Sequence, residues 1–167
     1  MGVNQRAQIR MTDAEIAEFV EQSRTTTLAT NGPNGLPHLV AMWYAVLDGE
    51  IWFETKVKSQ KVRNLLRDDR VTCLIEDGRT YDVLRGVAIE GNAVVSSEPD
   101  DLLRVGISVW ERYYGPYTED QRPMVDALMN KRVVVRVIPT RTRSWNHRKL
   151  GLPAMPISGS TAKYLDS

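Results

Sequence analysis

The sequence predicts a mainly β domain in which helices are inserted into an antiparallel barrel. Five or six stretches are rich in β-branched and aromatic residues, and most are separated by tight-turn formers such as those at residues 31–35 and 48–49. Helical patterns interrupt these stretches at three places. A parallel sheet would need a helix after nearly every strand, so the antiparallel arrangement is favoured.

The first elements are a helix and a β-hairpin. Residues 13–22 carry apolar side chains on one helical face, and Thr12 and Glu15 stand at the positions of a capping box. A strand over residues 25–30 then leads through turn formers into a return strand over residues 37–47. The return strand is almost entirely apolar or aromatic, so both faces should be covered, one by the core and one by a partner subunit or a flat ligand.

A second hairpin follows. The Asp48-Gly49 pair predicts a tight turn into a strand over residues 50–55. A short amphipathic helix should begin near Gln60, and a further strand is expected over residues 70–76.

A long strand over residues 80–95 comes next, after a turn at Asp77-Gly78. Gly86 and Gly91 within it predict bulges or sharp bends, which allow a sheet to curl into a barrel. A longer helix should open at residues 97–100 and end at Gly115-Pro116.

The last elements are a short helix near residues 123–130 and a strand over residues 132–138. Alternation after Pro139 indicates that this strand continues toward Trp145 with its basic and aromatic face exposed. The resulting boundaries are a flexible arm over residues 1–11, a single domain over residues 12–150 and a C-terminal tail over residues 151–167.

Composition limits the classes of function. The chain has 167 residues, 42% of them hydrophobic, and a net charge of +1, so no whole-molecule basic surface points to nucleic acid or membrane. Cys73 is the only cysteine, and its apolar neighbours predict a buried thiol. No apolar run is long enough to cross a membrane, and residues 3–10 are polar where a signal peptide needs an apolar core. We therefore expect a cytoplasmic protein.

The joint between the strand at residues 50–55 and the next helix concentrates cations. Ser59 is a favoured N-cap, and Val62, Leu65 and Leu66 fall on one helical face. Unpaired amides of the first turn would then lie beside Lys58, Lys61 and Arg63, which together suit a phosphate or carboxylate group. We call this joint the anion clamp; the alternative is a solvated basic helix face. The clamp consists of Thr55, Lys58, Ser59, Lys61, Val62 and Arg63.

The order of these motifs resembles the FMN-binding split β-barrel superfamily, whose type member is pyridoxamine 5'-phosphate oxidase. It is most similar to the coenzyme F420 (deazaflavin) dependent oxidoreductases of actinobacteria within that superfamily. The resemblance covers residues 16–145. It is carried by the hairpins and above all by Lys61-Val62-Arg63-Asn64-Leu65 followed by Asp68-Asp69-Arg70-Val71.

The resemblance implies a homodimer with a flavin-type cofactor in a groove at the subunit interface. It places the cofactor phosphate at the anion clamp and the ring system along the second strand. Tyr81 and the stretch from Arg143 to Arg148 would form the far wall, and whether the other subunit supplies them stays open. The ring contacts implied are Val40, Ala41, Met42, Trp43 and Tyr81.

The resemblance leaves the cofactor open between F420, FMN and haem. Enzymes of the superfamily that oxidise pyridoxamine phosphate carry basic residues along the second strand, whereas residues 39–47 contain no Lys or Arg. Lys56, Lys58 and Lys61 with the basic C-terminal stretch suit a cofactor that bears a phosphate and an oligoglutamate chain. This favours F420 and hydride transfer to a small hydrophobic or conjugated acceptor. The alternatives are an FMN-dependent reductase or oxidase and a non-catalytic binding protein.

No catalytic residue is assigned from the sequence. If reduction of the acceptor needs a proton donor, the candidates are Tyr81, His147, His38 or a water molecule. The two histidines stand far apart in the sequence without a carboxylate at ligand spacing, so no metal site is predicted.

Overall fold

The computed structural model describes residues 4–157 and residue 159. Seven strands form one antiparallel sheet, with helices inserted between them. The strands are β1 (Thr26–Asn31), β2 (Pro37–Met42), β3 (Ala45–Leu47), β4 (Glu50–Lys56), β5 (Arg70–Asp77), β6 (Arg85–Ser96) and β7 (Arg132–Asn146). The helices are α1 (Gln5–Gln8), α2 (Asp13–Gln22), α3 (Gln60–Arg67), α4 (Pro99–Tyr113) and α5 (Arg122–Met129), with short 3-10 turns at Tyr81–Val83, Glu119–Gln121 and His147–Leu150.

The sheet curls until its two edges nearly meet. Its strand order is β2-β1-β5-β6-β7-β4-β3, so β2 and β3 are the outermost strands on opposite sides. Only Trp43 and Tyr44 separate β2 from β3 along the chain. Two residues span less than about 10 Å, so the outermost strands must lie close together at this point. The predicted mainly β antiparallel barrel is therefore confirmed as a curled, split sheet.

The prediction of one strand over residues 37–47 is wrong. Residues 37–42 pair with β1, whereas residues 45–47 pair with β4 at the other edge of the sheet. The crossing at Trp43 and Tyr44 lacks glycine, proline or any other turn former, so the apolar pattern runs through it without a visible break.

The prediction of a strand over residues 80–95 also needs correction. Residues 81–83 form a 3-10 turn, and β6 begins at Arg85. The pairing with β7 shifts at Glu90/Gly91, as expected for an irregularity at Gly91, but the extra residue is Thr140 on β7. At Gly86 the register is regular, and a Cβ atom there would collide with the Trp145 indole. Gly86 therefore serves close packing, not a bulge.

Two apolar clusters lie on the two faces of the curled sheet. The inner cluster fills the barrel and includes Phe19, Leu28, Phe53 and the fully buried Cys73. Burial raises the pKa of the Cys73 thiol to about 12, as suits a packing residue and not a nucleophile. The outer cluster joins α4 and α5 to the outer face of β3, β4 and β7, and Gly106 on α4 allows close contact with α5.

The N-terminal residues are held by β7. The Asn146 amide donates to the Ile9 carbonyl at 2.7 Å, and the Met11 amide donates to Ser144 Oγ at 3.1 Å. Met11 itself is buried. The predicted helix Asp13–Gln22 is confirmed together with its capping box, in which Glu15 accepts from the Thr12 amide.

Arg112 of α4 closes the C-terminal end of α2. Its side chain is 5% exposed, and its guanidinium donates to the carbonyls of Val20, Glu21 and Ser23. It also lies over the ring of Tyr44, whose hydroxyl donates to the Val20 carbonyl at 2.6 Å. Burial raises the pKa of Tyr44 to about 12, because the phenolate would lose its hydration. These contacts tie α2, α4 and the β2–β3 crossing together.

Candidate functional site

The anion clamp has the local structure that the sequence predicts. Ser59 is the N-cap of α3, its side chain accepts from the Val62 amide, and its own amide donates to the Lys56 carbonyl. The other two amides of the helix N-terminus, those of Gln60 and Lys61, find no acceptor among the described residues. These two donors, with the positive end of the helix dipole, are suited to an anion.

Lys61 reaches back over this helix end. Its Nζ donates to Thr55 Oγ1 at 3.1 Å, and Thr55 Oγ1 in turn lies 3.3 Å from Ser59 Oγ. Partial burial lowers the pKa of the Lys61 ammonium, while the Glu54 carboxylate opposes that shift. A partly desolvated ammonium with a single hydroxyl partner is stabilised further when an anionic group approaches it. Lys58 and Arg63 are exposed at the same joint.

Glu54 and Arg132 form a second charged layer beside Lys61. Arg132 of β7 lies opposite Lys56 and diagonal to Glu54 of β4, and it donates to the Glu54 carboxylate. Burial raises the pKa of Glu54, and Arg132 counteracts the rise. Because the Glu54 carboxylate already pairs with Arg132, it does not fully neutralise the positive charge of Lys61. The sequence analysis missed this pair, which is visible only once β4 and β7 are known to be neighbours.

Asn64 fixes the position of α3. Its side chain is fully buried, accepts from Gln60 Nε2 at 2.8 Å and donates to Thr30 Oγ1 of β1 at 3.0 Å. Arg67 adds a bond to the Asn31 carbonyl of the same strand. The asparagine in the Lys61-Val62-Arg63-Asn64-Leu65 segment is therefore a structural residue that holds the helix against the sheet.

The barrel is open on one side, next to the clamp. β3 pairs with β4 only as far as Trp52. Residues 53–56, the last of β4, therefore pair with β7 on one side and with no described strand on the other. Among the described residues no strand pairs with the outer edge of β2, and α3 bridges the gap between the end of β4 and β1. We call the gap between these two free edges the split. The anion clamp lies at one side of the split, and β2 forms the other.

The predicted ring contacts on the second strand divide between its two faces. Val40 and Met42 are partly buried and pack against the inner core. Leu39, Ala41 and Trp43 point the other way and are exposed, with Leu39 at 61% and Trp43 at 47%. We call these three residues the apolar strip. A ligand on the outer side of β2 would meet Ala41 and Trp43, not the side chains of Val40 and Met42.

Trp43 is held by an aromatic group on α4. Its ring stacks on Tyr113 with centroids 4.2 Å apart and planes within 3°, and Tyr114 meets it edge-on at 6.0 Å. The Tyr113 hydroxyl accepts from the Tyr44 amide at 2.9 Å and lies 2.8 Å from the Arg24 carbonyl, to which it can donate. The orientation of Trp43 is thus set by contacts that join residues far apart in the sequence.

Tyr81 and His147 lie together but away from the clamp. Their rings are 4.4 Å apart, and His147 Nδ1 lies 2.9 Å from the Tyr81 carbonyl oxygen. A carbonyl only accepts, so Nδ1 carries the proton and the lone pair of a neutral ring is on Nε2. His147 follows the end of β7 opposite to Arg132, up to about 45 Å of extended strand from the clamp. Within one chain, Tyr81 and the clamp do not form one site.

The other candidate positions stand apart from the clamp. His38 is half-buried on β2, and its Nδ1 has no hydrogen-bond partner within the described residues. A cavity of about 540 Å³ lies between α2 and the β3–β4 hairpin, and it shares no lining residue with the clamp. Across residues 4–157 and 159, no cluster of His, Cys, Asp or Glu is arranged to hold a metal ion, and no helix is long and apolar enough to cross a membrane.

The protein has the features of a split barrel, namely a curled sheet with a split and a helix whose N-terminus lies beside that split. A family model described as pyridoxamine 5'-phosphate oxidase matches residues 12–146. The chain therefore belongs to the pyridoxamine 5'-phosphate oxidase family, a family of the oxidoreductase type whose members bind flavin-type cofactors. A search of curated proteins finds no match.

Several solved structures are similar to the chain. A conserved hypothetical protein of Mycobacterium tuberculosis is 66% identical over 95% of this chain and 99% of its own, with a TM-score of 0.92. An F420 reductase is 30% identical over 75% of this chain and 93% of its own, with a TM-score of 0.58. The heme storage protein of Vibrio cholerae shares the fold at 17% identity, with 77% and 90% of the two chains covered and a TM-score of 0.62.

Proposed function

We propose that the protein is an oxidoreductase that uses reduced coenzyme F420 to transfer a hydride to a small hydrophobic or conjugated acceptor. The observation that carries this proposal is the anion clamp, where the free amides of Gln60 and Lys61 and the Lys61 ammonium converge beside the split. The similarity to an F420 reductase supports the choice of cofactor.

The residues of the clamp fit a phosphate group. Two unpaired amides and one partly buried ammonium can each donate to a phosphate oxygen, and Lys58 and Arg63 add exposed positive charge. The apolar strip offers no charged group to the rest of the ligand. A cofactor with a phosphate at one end and a planar ring at the other matches this separation of charge from apolar surface.

The choice of F420 over FMN depends on the distribution of cations. β2 carries no Lys or Arg, whereas the clamp region has Lys56, Lys58, Lys61 and Arg63 within eight residues of sequence. A cofactor with several carboxylates beyond its phosphate gains from this surplus of positive charge at one end. A cofactor with a single phosphate does not need it.

We further propose that a second copy of the chain completes the site. The split and the apolar strip are open in one protomer, and Tyr81 and His147 lie beside the end of β7 that is far from the clamp. In a homodimer, the second copy would cover the strip and could bring its own Tyr81 and His147 toward the cofactor of the first.

The cofactor would supply the hydride, and the protein would supply binding, orientation and exclusion of water. Lys61 and the Gln60 and Lys61 amides would hold the anionic end. The apolar strip would hold the ring against a dry surface. No nucleophile of the protein is required, which agrees with the inert, buried state of Cys73.

The test is a comparison of cofactors on the purified wild-type protein. We expect F420 to bind with a lower Kd than FMN in fluorescence titrations, and protein made in a host without F420 to be colourless. Reduced F420 should be oxidised in the presence of at least one member of a panel of quinones, enones and nitroaromatic compounds. Tighter binding of FMN, or a yellow protein with a flavin spectrum, would contradict the choice of F420. Tight binding of F420 without turnover of any acceptor would contradict the enzyme assignment.

A further inference from the structure

The cavity of about 540 Å³ between α2 and the β3–β4 hairpin has the size of a ligand site. Sites for small molecules usually measure about 300 to 1,000 Å³. We call this space the α2 cavity. Its floor belongs to the inner core, because four of its lining residues are buried members of that cluster, namely Val20, Ile51, Ile89 and Val137. None of its lining residues belongs to the anion clamp or to the apolar strip, so its occupant need not be the cofactor.

The α2 cavity is open because small residues face each other across it. Asp13, Ala17 and Glu21 are spaced by four residues, so they lie in a line along one face of α2. All three are exposed and line the cavity. The methyl group of Ala17 covers little of the apolar floor, and Gly49 in the opposite wall has no side chain. The buried apolar floor can therefore be reached from solvent.

The rim of the α2 cavity is acidic. The charged residues that line it are all carboxylates, three on α2 and one at the start of β4: Asp13, Glu18, Glu21 and Glu50. Glu21 pairs with Arg112, and Glu50 pairs with Arg136. Within the described part of the chain, Asp13 and Glu18 have no cationic partner. A negative potential therefore remains at the mouth of the cavity.

An apolar floor below a carboxylate rim favours one kind of small molecule. An apolar group gains by leaving water for the floor, an anion would be repelled at the rim, and a cation would be attracted there. We propose that the α2 cavity binds a small apolar molecule that carries an ammonium group. The apolar part lies on the floor, and the ammonium group lies beside Asp13 and Glu18. This site is separate from the proposed cofactor site, so the inference does not depend on the proposed function.

The experiment compares three probes that share one rigid apolar cage. Adamantylamine is cationic at pH 7, adamantanol is neutral and adamantane carboxylate is anionic. A rigid cage loses little conformational entropy on binding, so differences in Kd report the charge of the substituent. The Kd of each probe is measured by isothermal titration calorimetry on the full chain at low and high salt.

Two variants test the position of the site, and each has a matched control. Ala17→Trp places an indole over the floor, whereas Ala14→Trp places it on the same helix at an exposed position that does not line the cavity. The double variant Asp13→Asn/Glu18→Gln removes the two carboxylates that lack a cationic partner. Its control is Glu98→Gln/Asp100→Asn, which removes two exposed carboxylates at the start of α4, outside the cavity.

We expect adamantylamine to bind the wild type with a Kd about three- to tenfold lower than that of adamantanol, within the range that two solvent-exposed ion pairs contribute. Adamantane carboxylate should bind most weakly, and high salt should reduce the differences. Ala17→Trp should raise the Kd of adamantylamine at least about tenfold. Asp13→Asn/Glu18→Gln should make the Kd values of the amine and the alcohol equal and leave that of the alcohol unchanged. Both control variants should bind as the wild type does.

Several results would overturn the inference. The site is wrong if the wild type binds none of the probes, or if Ala14→Trp weakens binding as much as Ala17→Trp does. The ligand class is wrong if adamantanol or adamantane carboxylate binds as tightly as adamantylamine. Displacement of adamantylamine by F420 would assign the cavity to the cofactor. Conversion of a dimer to a monomer by Ala17→Trp, seen in analytical ultracentrifugation without a change in Kd, would assign it to a subunit contact. If Ala17→Trp does not fold, the Asp13→Asn/Glu18→Gln titrations decide the point alone.

Discussion

Replacement of Asn64 by alanine should destabilise the protein and weaken the clamp at the same time. The side chain makes two hydrogen bonds of 3.0 Å or less, one to Gln60 and one to Thr30, and it is fully buried. Each bond contributes about 1 kcal/mol, and the cavity and the unpaired Thr30 hydroxyl add roughly another 1 to 2 kcal/mol. We therefore expect Asn64→Ala to lower the free energy of unfolding by about 3 kcal/mol.

Urea denaturation followed by circular dichroism measures this loss. At an m-value of about 2 to 3 kcal/mol/M, the midpoint should fall by about 1 to 1.5 M. Wild type and variant must be compared at the same protomer concentration, because dimer formation would add to the apparent stability. Gln60→Ala removes one exposed partner of Asn64 and should cost less than about 1 kcal/mol.

The same variant tests the link between α3 and the clamp. Asn64 ties α3 to β1, so its loss should loosen the helix N-terminus and raise the Kd of F420 under folding conditions. Val87→Ala is the control, because Val87 is fully buried in the inner core, on β6. It should cost about 2 to 3 kcal/mol and leave Kd unchanged. An unfolding free energy of Asn64→Ala within about 0.5 kcal/mol of the wild type would refute the structural role of Asn64. Equal changes in Kd in both variants would refute the specific link to the clamp.

Three further predictions concern the rest of the fold. Arg112→Met should lower the free energy of unfolding by about 3 kcal/mol in urea titrations, because buried carbonyls at the end of α2 lose their donor. The free energy of unfolding should fall as pH rises from about 10 to 12, because the pKa of Tyr44 is raised to about 12 in the folded state and folding favours the neutral phenol. The part of this loss that is due to Tyr44 can reach about 2.7 kcal/mol. Tyr44→Phe should remove about half of this slope, because the pKa of the Cys73 thiol is also raised to about 12 and contributes a loss of the same sign and similar size. Gly86→Ala should lower Tm, because the added methyl group collides with Trp145.

Each of these predictions has a matched control. Arg104→Met removes an exposed ion pair with Asp48 and should change the unfolding free energy by less than about 1 kcal/mol. A flat stability profile between pH 10 and 12 in the wild type would contradict the burial of Tyr44. A Gly86→Ala variant as stable as the wild type would contradict the packing of Trp145 on β6.

Local signals in the sequence predicted much of the fold. The capping box at Thr12 and Glu15 predicted α2, and the positive φ angles of Asp48 and Gly49 are those of the tight hairpin turn that this pair favours. The N-cap at Ser59 likewise located α3. In each case the determining contacts join residues within a few positions of one another, so the sequence alone contains them.

Features that depend on contacts between distant residues could not be predicted. The chain crosses from β2 to β3 at Trp43 and Tyr44 without a turn former, and the pairing with β1 ends because Met42 lies opposite Thr26, the first residue of β1. The stack of Trp43 on Tyr113 joins residues 70 positions apart. Alternation along β2 is also hidden, because both faces carry apolar side chains, so the sequence could not tell Ala41 and Trp43 on the exposed face from Val40 and Met42 on the inner one.

The most direct measurement for the central proposal is the Kd of F420 for Lys61→Ala beside wild type and Arg104→Ala. Both variants remove one positive charge, but Arg104 pairs with Asp48, in the turn at the opposite end of β4 from the clamp. We expect Lys61→Ala to raise Kd by roughly 10- to 150-fold, the equivalent of about 1.5 to 3 kcal/mol for a charged hydrogen bond, and Arg104→Ala to leave it within about twofold of the wild type. Equal Kd values for Lys61→Ala and the wild type would show that the anionic end of the cofactor does not bind at this helix.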